Sequence, residues 1–126
     1  HRKEARGVGG LFFDDWTEGG FNKSYELTQT IGNSFLKAYQ PIFEKRKEET
    51  YTEKQKDFQL YRRGRYAEFN LAIDRGTKYG LQSGRRIESV LASLPPLAKW
   101  SYNYPIDPDS DESKLTDYFL TRRDWI

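Results

Sequence analysis

The chain lacks cysteine and methionine, and it has a single histidine, His1, among 126 residues. Without cysteine there can be no disulfide, no thiolate nucleophile and no zinc–thiolate site. One histidine at the chain end cannot form a metal site alone, and it is too isolated to activate a nucleophile. The residues therefore predict no metal site. Since no methionine stands at the start, we expect a processed or truncated piece of a longer protein.

Apolar residues are also scarce, at 36% of the chain against 32% charged residues. No apolar run approaches the length that spans a membrane, and no signal peptide is visible. We expect a cytoplasmic protein, or one of the mitochondrial intermembrane space if a lost N-terminus carried a targeting signal. The apolar residues that are present are large, with aromatics at 16%. A single domain of this kind is expected to bury aromatic surface against the rest of its chain or a second subunit.

The net charge of +2 is too balanced for a general polyanion-binding protein. The basic character is local and comes from arginine, which favours recognition of carboxylates or phosphates. The arginines concerned are Arg62, Arg63, Arg65, Arg75, Arg85, Arg86, Arg122 and Arg123.

Periodicity predicts helices and strands in alternation. Apolar residues from Phe21 to Ile42 recur at helical spacing, and Thr52 with Gln55 has the form of a capping box that opens a second helix, ended by Gly64. Further helices are expected over 87–94 and around 115–119. Strands are expected over 7–15, 66–74, 78–82 and 100–104, the second with Ala67, Phe69, Leu71 and Ile73 on its apolar face. The predicted fold is α+β, with helices packed on an antiparallel sheet.

Asp74 is the strongest candidate for binding a ligand. It ends the predicted strand beside Arg75, which would help to keep it ionised, and an ionised carboxylate suits a ligand with several NH groups. An aspartate that only stabilises a turn is the alternative, and spacing alone slightly favours it. Arg85 and Arg86 precede a predicted helix and form a candidate carboxylate-binding pair, with a solvated loop as the equal alternative.

A second functional class stays open on the residues alone. Arginines interleaved with Tyr61, Tyr66, Phe69 and Tyr79 are typical of sheets that bind single-stranded nucleic acid. The near-neutral net charge and the place of Phe69 on the apolar face count against this interpretation.

Several unusual strings run through the whole chain: Arg6–Asp15, Phe58–Tyr66, Glu68–Leu71, Asp74–Thr77, Glu88–Pro96 and Arg123–Trp125. Together they resemble the C-terminal part of oxygen-dependent coproporphyrinogen III oxidase, and the family's N-terminal part is absent. The resemblance implies conversion of two propionates of coproporphyrinogen III to vinyl groups in haem biosynthesis. It further implies molecular oxygen as co-substrate, no metal or organic cofactor, a homodimer, and a broad antiparallel sheet covered by helices on both faces.

The resemblance also implies roles for particular residues. Asp74 would hold the pyrrole NH groups, Arg75 would be a second essential position, and the loop Gly84-Arg85-Arg86 would contact substrate. The dimer interface would lie within Tyr66 to Ser101. Two residues depart from the family's pattern: Arg85 replaces a small residue, and Ala92 replaces a methionine. The family's proposed proton-donating histidine would lie N-terminal to this chain, and His1, aligned with a proposed metal ligand of some bacterial members, is left unassigned.

Overall fold

The computed structural model describes residues 3–5, 10–11 and 13–125. All regular structure in these residues is helical, in the order α1 (Gly20–Arg46), α2 (Glu53–Ala72), α3 (Arg75–Gln82), α4 (Ile87–Val90), α5 (Asp111–Lys114) and a π-helical turn (Leu115–Phe119). The chain divides into two compact units. One consists of residues 10–50, and the other begins at residue 51 and includes residues 3–5.

The predicted α+β fold with a broad antiparallel sheet is wrong, because none of the described residues lies in a strand. Residues 66–72, expected as a strand, continue α2, and residues 78–82 belong to α3. Residues 100–104 are irregular. Of the strand expected over 7–15, residues 7–9 and 12 lie outside the described residues, and the other five are not in a strand.

The pattern of buried residues in α2 explains why the alternating apolar residues were wrongly interpreted as a strand. Its buried residues are Gly64 and Ala67, and Leu60 is half-buried, a spacing of four and then three residues that only a helix brings to one side. Gly64 therefore lies within the helix and does not end it. A run of only a few residues can satisfy period 2 and period 3.6 together, and the capped helix that precedes it decides the outcome.

The first unit is dominated by α1, and its helical spacing was predicted correctly. Its aromatic rings stack one turn apart, with centroids 6.1 Å apart for Phe21 and Tyr25 and 5.8 Å apart for Phe35 and Tyr39. Pro41 lies inside the helix. No described residue of α1 is buried, so this unit has no interior of its own along the helix.

The second unit is built where α2 packs on residues 98–104. The predicted capping box is confirmed: the Gln55 amide donates to Thr52 Oγ1 at 3.2 Å, and the Thr52 amide donates to Gln55 Oε1 at 2.8 Å. At Gly64 a Cβ atom would lie 2.1 Å from the Lys99 carbonyl oxygen, so glycine is required for the backbones to meet. The Lys99 amide donates to the Leu60 carbonyl at 3.0 Å beside this contact.

The helix expected over 87–94 begins at the predicted residue but is shorter, ending at Val90. Val90 packs on Gly80 of α3, where an added Cβ would lie 2.8 Å from the Val90 Cγ2 methyl. The last predicted helix is present as α5 and the π-helical turn, and Ser110 caps it by accepting from the Ser113 amide at 3.3 Å.

Candidate substrate site

Asp74 and Arg75 lie together at the start of α3. The half-buried Asp74 is the N-cap residue, and its Oδ2 atom accepts a hydrogen bond from the Thr77 amide at 2.6 Å. This is the stabilising role that the sequence alone slightly favoured, with a helix in place of the expected turn after a strand. Arg75 is the first residue of α3, and it is exposed.

Gly84, Arg85 and Arg86 lie at the other end of α3. The helix closes with a Schellman turn, in which Gly84 has a φ of 71° and the Arg85 amide donates to the Gly80 carbonyl at 3.2 Å. Positive φ favours glycine, so Gly84 has a clear structural reason to be there. Arg86 directly precedes α4, which confirms that the arginine pair stands at the beginning of a helix.

The two arginine side chains differ in how they are held. The Arg85 guanidinium carbon lies 5.3 Å from the centre of the Tyr79 ring. The Arg86 Nε atom lies 3.9 Å from the Glu88 carboxylate, and these side chains are 82% and 78% exposed. An ion pair as exposed as this contributes little, so Arg86 retains its freedom to meet an anion.

The five candidate residues form two groups, one at each end of a single short helix. Eight residues at 1.5 Å per residue make α3 about 12 Å long. The acid and the arginine pair are thus separated by roughly that distance along the helix axis. The packing of Val90 on Gly80 connects α3 to α4 and so limits how far the second group can move.

A polar cluster that the sequence did not reveal lies between α2 and the irregular segment after Pro96. Asp57 accepts from Lys99 Nζ at 2.6 Å and from the Tyr104 hydroxyl at 3.0 Å. Two hydrogen bonds lower the pKa of Asp57, with the larger effect from Lys99 and the smaller from Tyr104. Burial raises the pKa of Tyr104, and its hydrogen bond to Asp57 raises it further. Partners more than 40 residues apart in the chain leave no local signal, which is why pattern reasoning missed them.

Arg65 is engaged inside the same unit. Its Nη1 atom lies 2.6 Å from the Glu68 carboxylate, its Nη2 atom donates to the Ser101 carbonyl at 3.2 Å, and its guanidinium covers the Tyr61 ring at 4.8 Å. A side chain that is only 10% exposed and holds three neighbours in place serves packing. The nucleic-acid alternative also required a sheet, and the described residues form none.

Two further features of the described residues bear on function. No group of three or more histidine, cysteine, aspartate or glutamate side chains among them is arranged to hold a metal ion, and His1 lies outside them. No helix in the described part of the chain is long and apolar enough to cross a membrane.

Comparison with known protein families decides what these residues belong to. The model of the family described as coproporphyrinogen III oxidase matches residues 1–125. The chain belongs to the coproporphyrinogen III oxidase family. This match confirms the family resemblance that the sequence motifs indicated, and it covers both groups of candidate residues. A coproporphyrinogen oxidase is an oxidoreductase of porphyrin biosynthesis, and the family implies coproporphyrinogen as substrate.

Proposed function

We propose that the natural protein containing this chain catalyses the oxygen-dependent oxidative decarboxylation of coproporphyrinogen III to protoporphyrinogen IX. The observation that carries the proposal is the arrangement along α3 in a member of this family. An acid stands at one end of the helix and two arginines stand at the other. A porphyrinogen has NH donors at its centre and carboxylates on its rim, so it needs both kinds of group at a distance from each other.

The reaction balances with oxygen as the only oxidant. In each of two propionates, the bond between the carboxyl carbon and the α carbon breaks, and a hydrogen leaves the β carbon with its electron pair. The products are carbon dioxide and a vinyl group. One molecule of oxygen accepts the two electrons with two protons for each propionate, which yields hydrogen peroxide. The proposal includes no metal or organic cofactor.

Asp74 is proposed to accept hydrogen bonds from the pyrrole NH groups, with Arg75 beside it as the second essential residue. A carboxylate offers about four acceptor positions, which suits a ligand with several NH donors. Arg85 and Arg86 are proposed to bind rim carboxylates through charge-assisted hydrogen bonds. Gly84 provides the backbone reversal that presents them.

The assembly and location are part of the same proposal. The full-length enzyme is proposed to be a homodimer whose interface lies within Tyr66 to Ser101, and the 126-residue piece alone is proposed to be inactive. We further propose a cytoplasmic location, with the mitochondrial intermembrane space as the alternative.

Substitution of Asp74 separates its proposed contact with substrate from its role as a helix cap. Asparagine caps helices about as well as aspartate but lacks the charge, whereas alanine loses both, at a cost of about 1 kcal/mol of stability. We expect Asp74→Asn and Asp74→Ala in the full-length enzyme each to lower kcat/KM about 100-fold or more, since charge-assisted bonds to several NH groups are lost. Only Asp74→Ala should lower the melting temperature clearly. Normal turnover by Asp74→Asn would leave the cap as the whole role of the residue.

A further inference from the structure

The geometry of the turn that connects α3 to α4 determines where the Arg85 side chain lies. In a Schellman turn, the residue that follows the left-handed glycine donates its amide to the carbonyl five residues earlier. Arg85 occupies that place, since its amide donates to the Gly80 carbonyl at 3.2 Å and Gly84 has the positive φ. This residue commonly packs its side chain against the last full turn of the helix. The backbone therefore directs Arg85 onto the turn that contains Tyr79.

Contact in this turn is made by an arginine and an aromatic ring. The Arg85 guanidinium carbon lies 5.3 Å from the centre of the Tyr79 ring, inside the distance of about 6 Å at which a cation is attracted to a ring face. The Ser83 amide donates to the Tyr79 carbonyl at 2.9 Å, so the backbone of Tyr79 is also part of the turn. Tyr79 itself is 60% exposed, and its ring is not needed to fill an interior.

We propose that Tyr79 is a positioning residue that holds the Arg85 guanidinium ready for a rim carboxylate of the substrate. The inference rests on the proposed function, and it deepens it by naming what controls the affinity for the acidic side chains. An arginine that is already ordered loses less conformational freedom when it binds. Arg86, which is 82% exposed beside Glu88, has no comparable support in its ion pair.

The test compares KM for coproporphyrinogen III among variants of the full-length enzyme. Tyr79→Leu should raise KM about two- to fivefold with little change in kcat, because a cation–π contact at an exposed site is worth about 0.5–1 kcal/mol. Tyr79→Phe keeps the ring and should restore the unmodified KM. Tyr102→Leu, at a fully exposed tyrosine, is the matched control and should change nothing.

The effect must also pass through Arg85. Arg85→Gln should raise KM about tenfold, and Tyr79→Leu added to it should raise KM no further. A direct structural readout accompanies the kinetics: with arginine-selective isotope labels, the Arg85 side-chain protons should show an upfield ring-current shift that Tyr79→Leu abolishes and Tyr79→Phe keeps.

The outcomes separate this inference from the proposed function. Equal KM values for Tyr79→Leu and Tyr79→Phe in an active enzyme, or a full effect of Tyr79→Leu in the Arg85→Gln background, would overturn the inference alone. An Arg85 shift that is the same in all Tyr79 variants would overturn it too. If the unmodified full-length enzyme neither binds nor converts coproporphyrinogen III, the proposed function falls, and the substrate role of Tyr79 falls with it.

Discussion

At the scale of single residues, glycines decide where parts of this chain can meet. Gly64 allows the Lys99 carbonyl to approach α2, Gly80 allows Val90 to approach α3, and Gly84 adopts the positive φ that closes the Schellman turn. Only the last of these could be anticipated, because a glycine is the usual residue where a turn requires a positive φ. The other two depend on contacts with residues distant in the sequence, and no local pattern encodes them.

Gly64→Ala gives the sharpest prediction at this scale. The new Cβ would lie 2.1 Å from the Lys99 carbonyl oxygen, so the segment after Pro96 must move away from α2. We expect a loss of about 1–3 kcal/mol in the free energy of unfolding, as for other overpacked sites, measured by urea denaturation of the full-length protein. Gly32→Ala is the matched control, since nothing lies within 4 Å of a Cβ there. It should stabilise α1 by about 0.5–1 kcal/mol. Equal effects of the two changes would refute the close approach at Gly64.

At the scale of elements, helix starts were the most predictable feature. The capping box at Thr52 and the beginning of α4 at Ile87 were both foreseen, since the signals that start a helix are adjacent in sequence. Strands were predicted from short alternating runs, and these runs proved to be helical or irregular. Period 2 over only a few residues is weak evidence against a helix that is already capped upstream.

The length of α3 explains the layout of the candidate site. Asp74 and Arg75 lie together, as do Arg85 and Arg86, because each pair is adjacent in the chain. Their separation by about the 12 Å length of α3 was not foreseen, since residues 78–82 were expected to form a strand. The contact of Arg85 with Tyr79 was missed for the same reason: it depends on helical geometry.

A pH experiment tests the connection between α2 and the segment that follows Pro96. Hydrogen bonds from Lys99 and Tyr104 lower the pKa of Asp57 in the folded protein. A lowered folded-state pKa stabilises the fold above the unfolded value, about 3.9, and this contribution is lost as the pH falls through the folded value. Asp57→Asn should therefore lower the free energy of unfolding at pH 7. Below about pH 5, this free energy should fall less steeply with pH than it does in the unmodified protein.

Urea denaturation at a series of pH values measures this, with Asp109→Asn as the control at an exposed aspartate outside the Asp57 cluster. If the stability of Asp57→Asn changes with pH in parallel with that of the unmodified protein, the cluster contributes nothing to the loss of stability at low pH.

At the scale of the whole molecule, exposed apolar surface within residues 66–101 supports the proposed dimer. Ile87, Leu97 and Trp100 are each more than half exposed. Surface of this kind is commonly covered in the self-complementary interface of a twofold dimer. The exposed face of α4 also carries Glu88.

We predict that the full-length enzyme sediments as a dimer and that Glu88→Lys shifts it toward monomer, because reversing a charge within an interface opposes the charge complementarity between the two subunits. Glu26→Lys, at an exposed acid of α1 outside residues 66–101, should leave the sedimentation profile unchanged. A monomeric unmodified enzyme would contradict the dimer proposal. A Glu88→Lys variant that stays fully dimeric would show that the interface does not include α4.

The central claim is that this family member converts coproporphyrinogen III with oxygen as the oxidant. The most direct measurement mixes the full-length enzyme with coproporphyrinogen III under strict anaerobic conditions, then admits oxygen while vinyl product and carbon dioxide are followed. We predict no product before oxygen enters, and afterwards protoporphyrinogen IX with two molecules of carbon dioxide for each substrate consumed. Product formation at the same rate without oxygen, or none after oxygen is admitted, would contradict the claim.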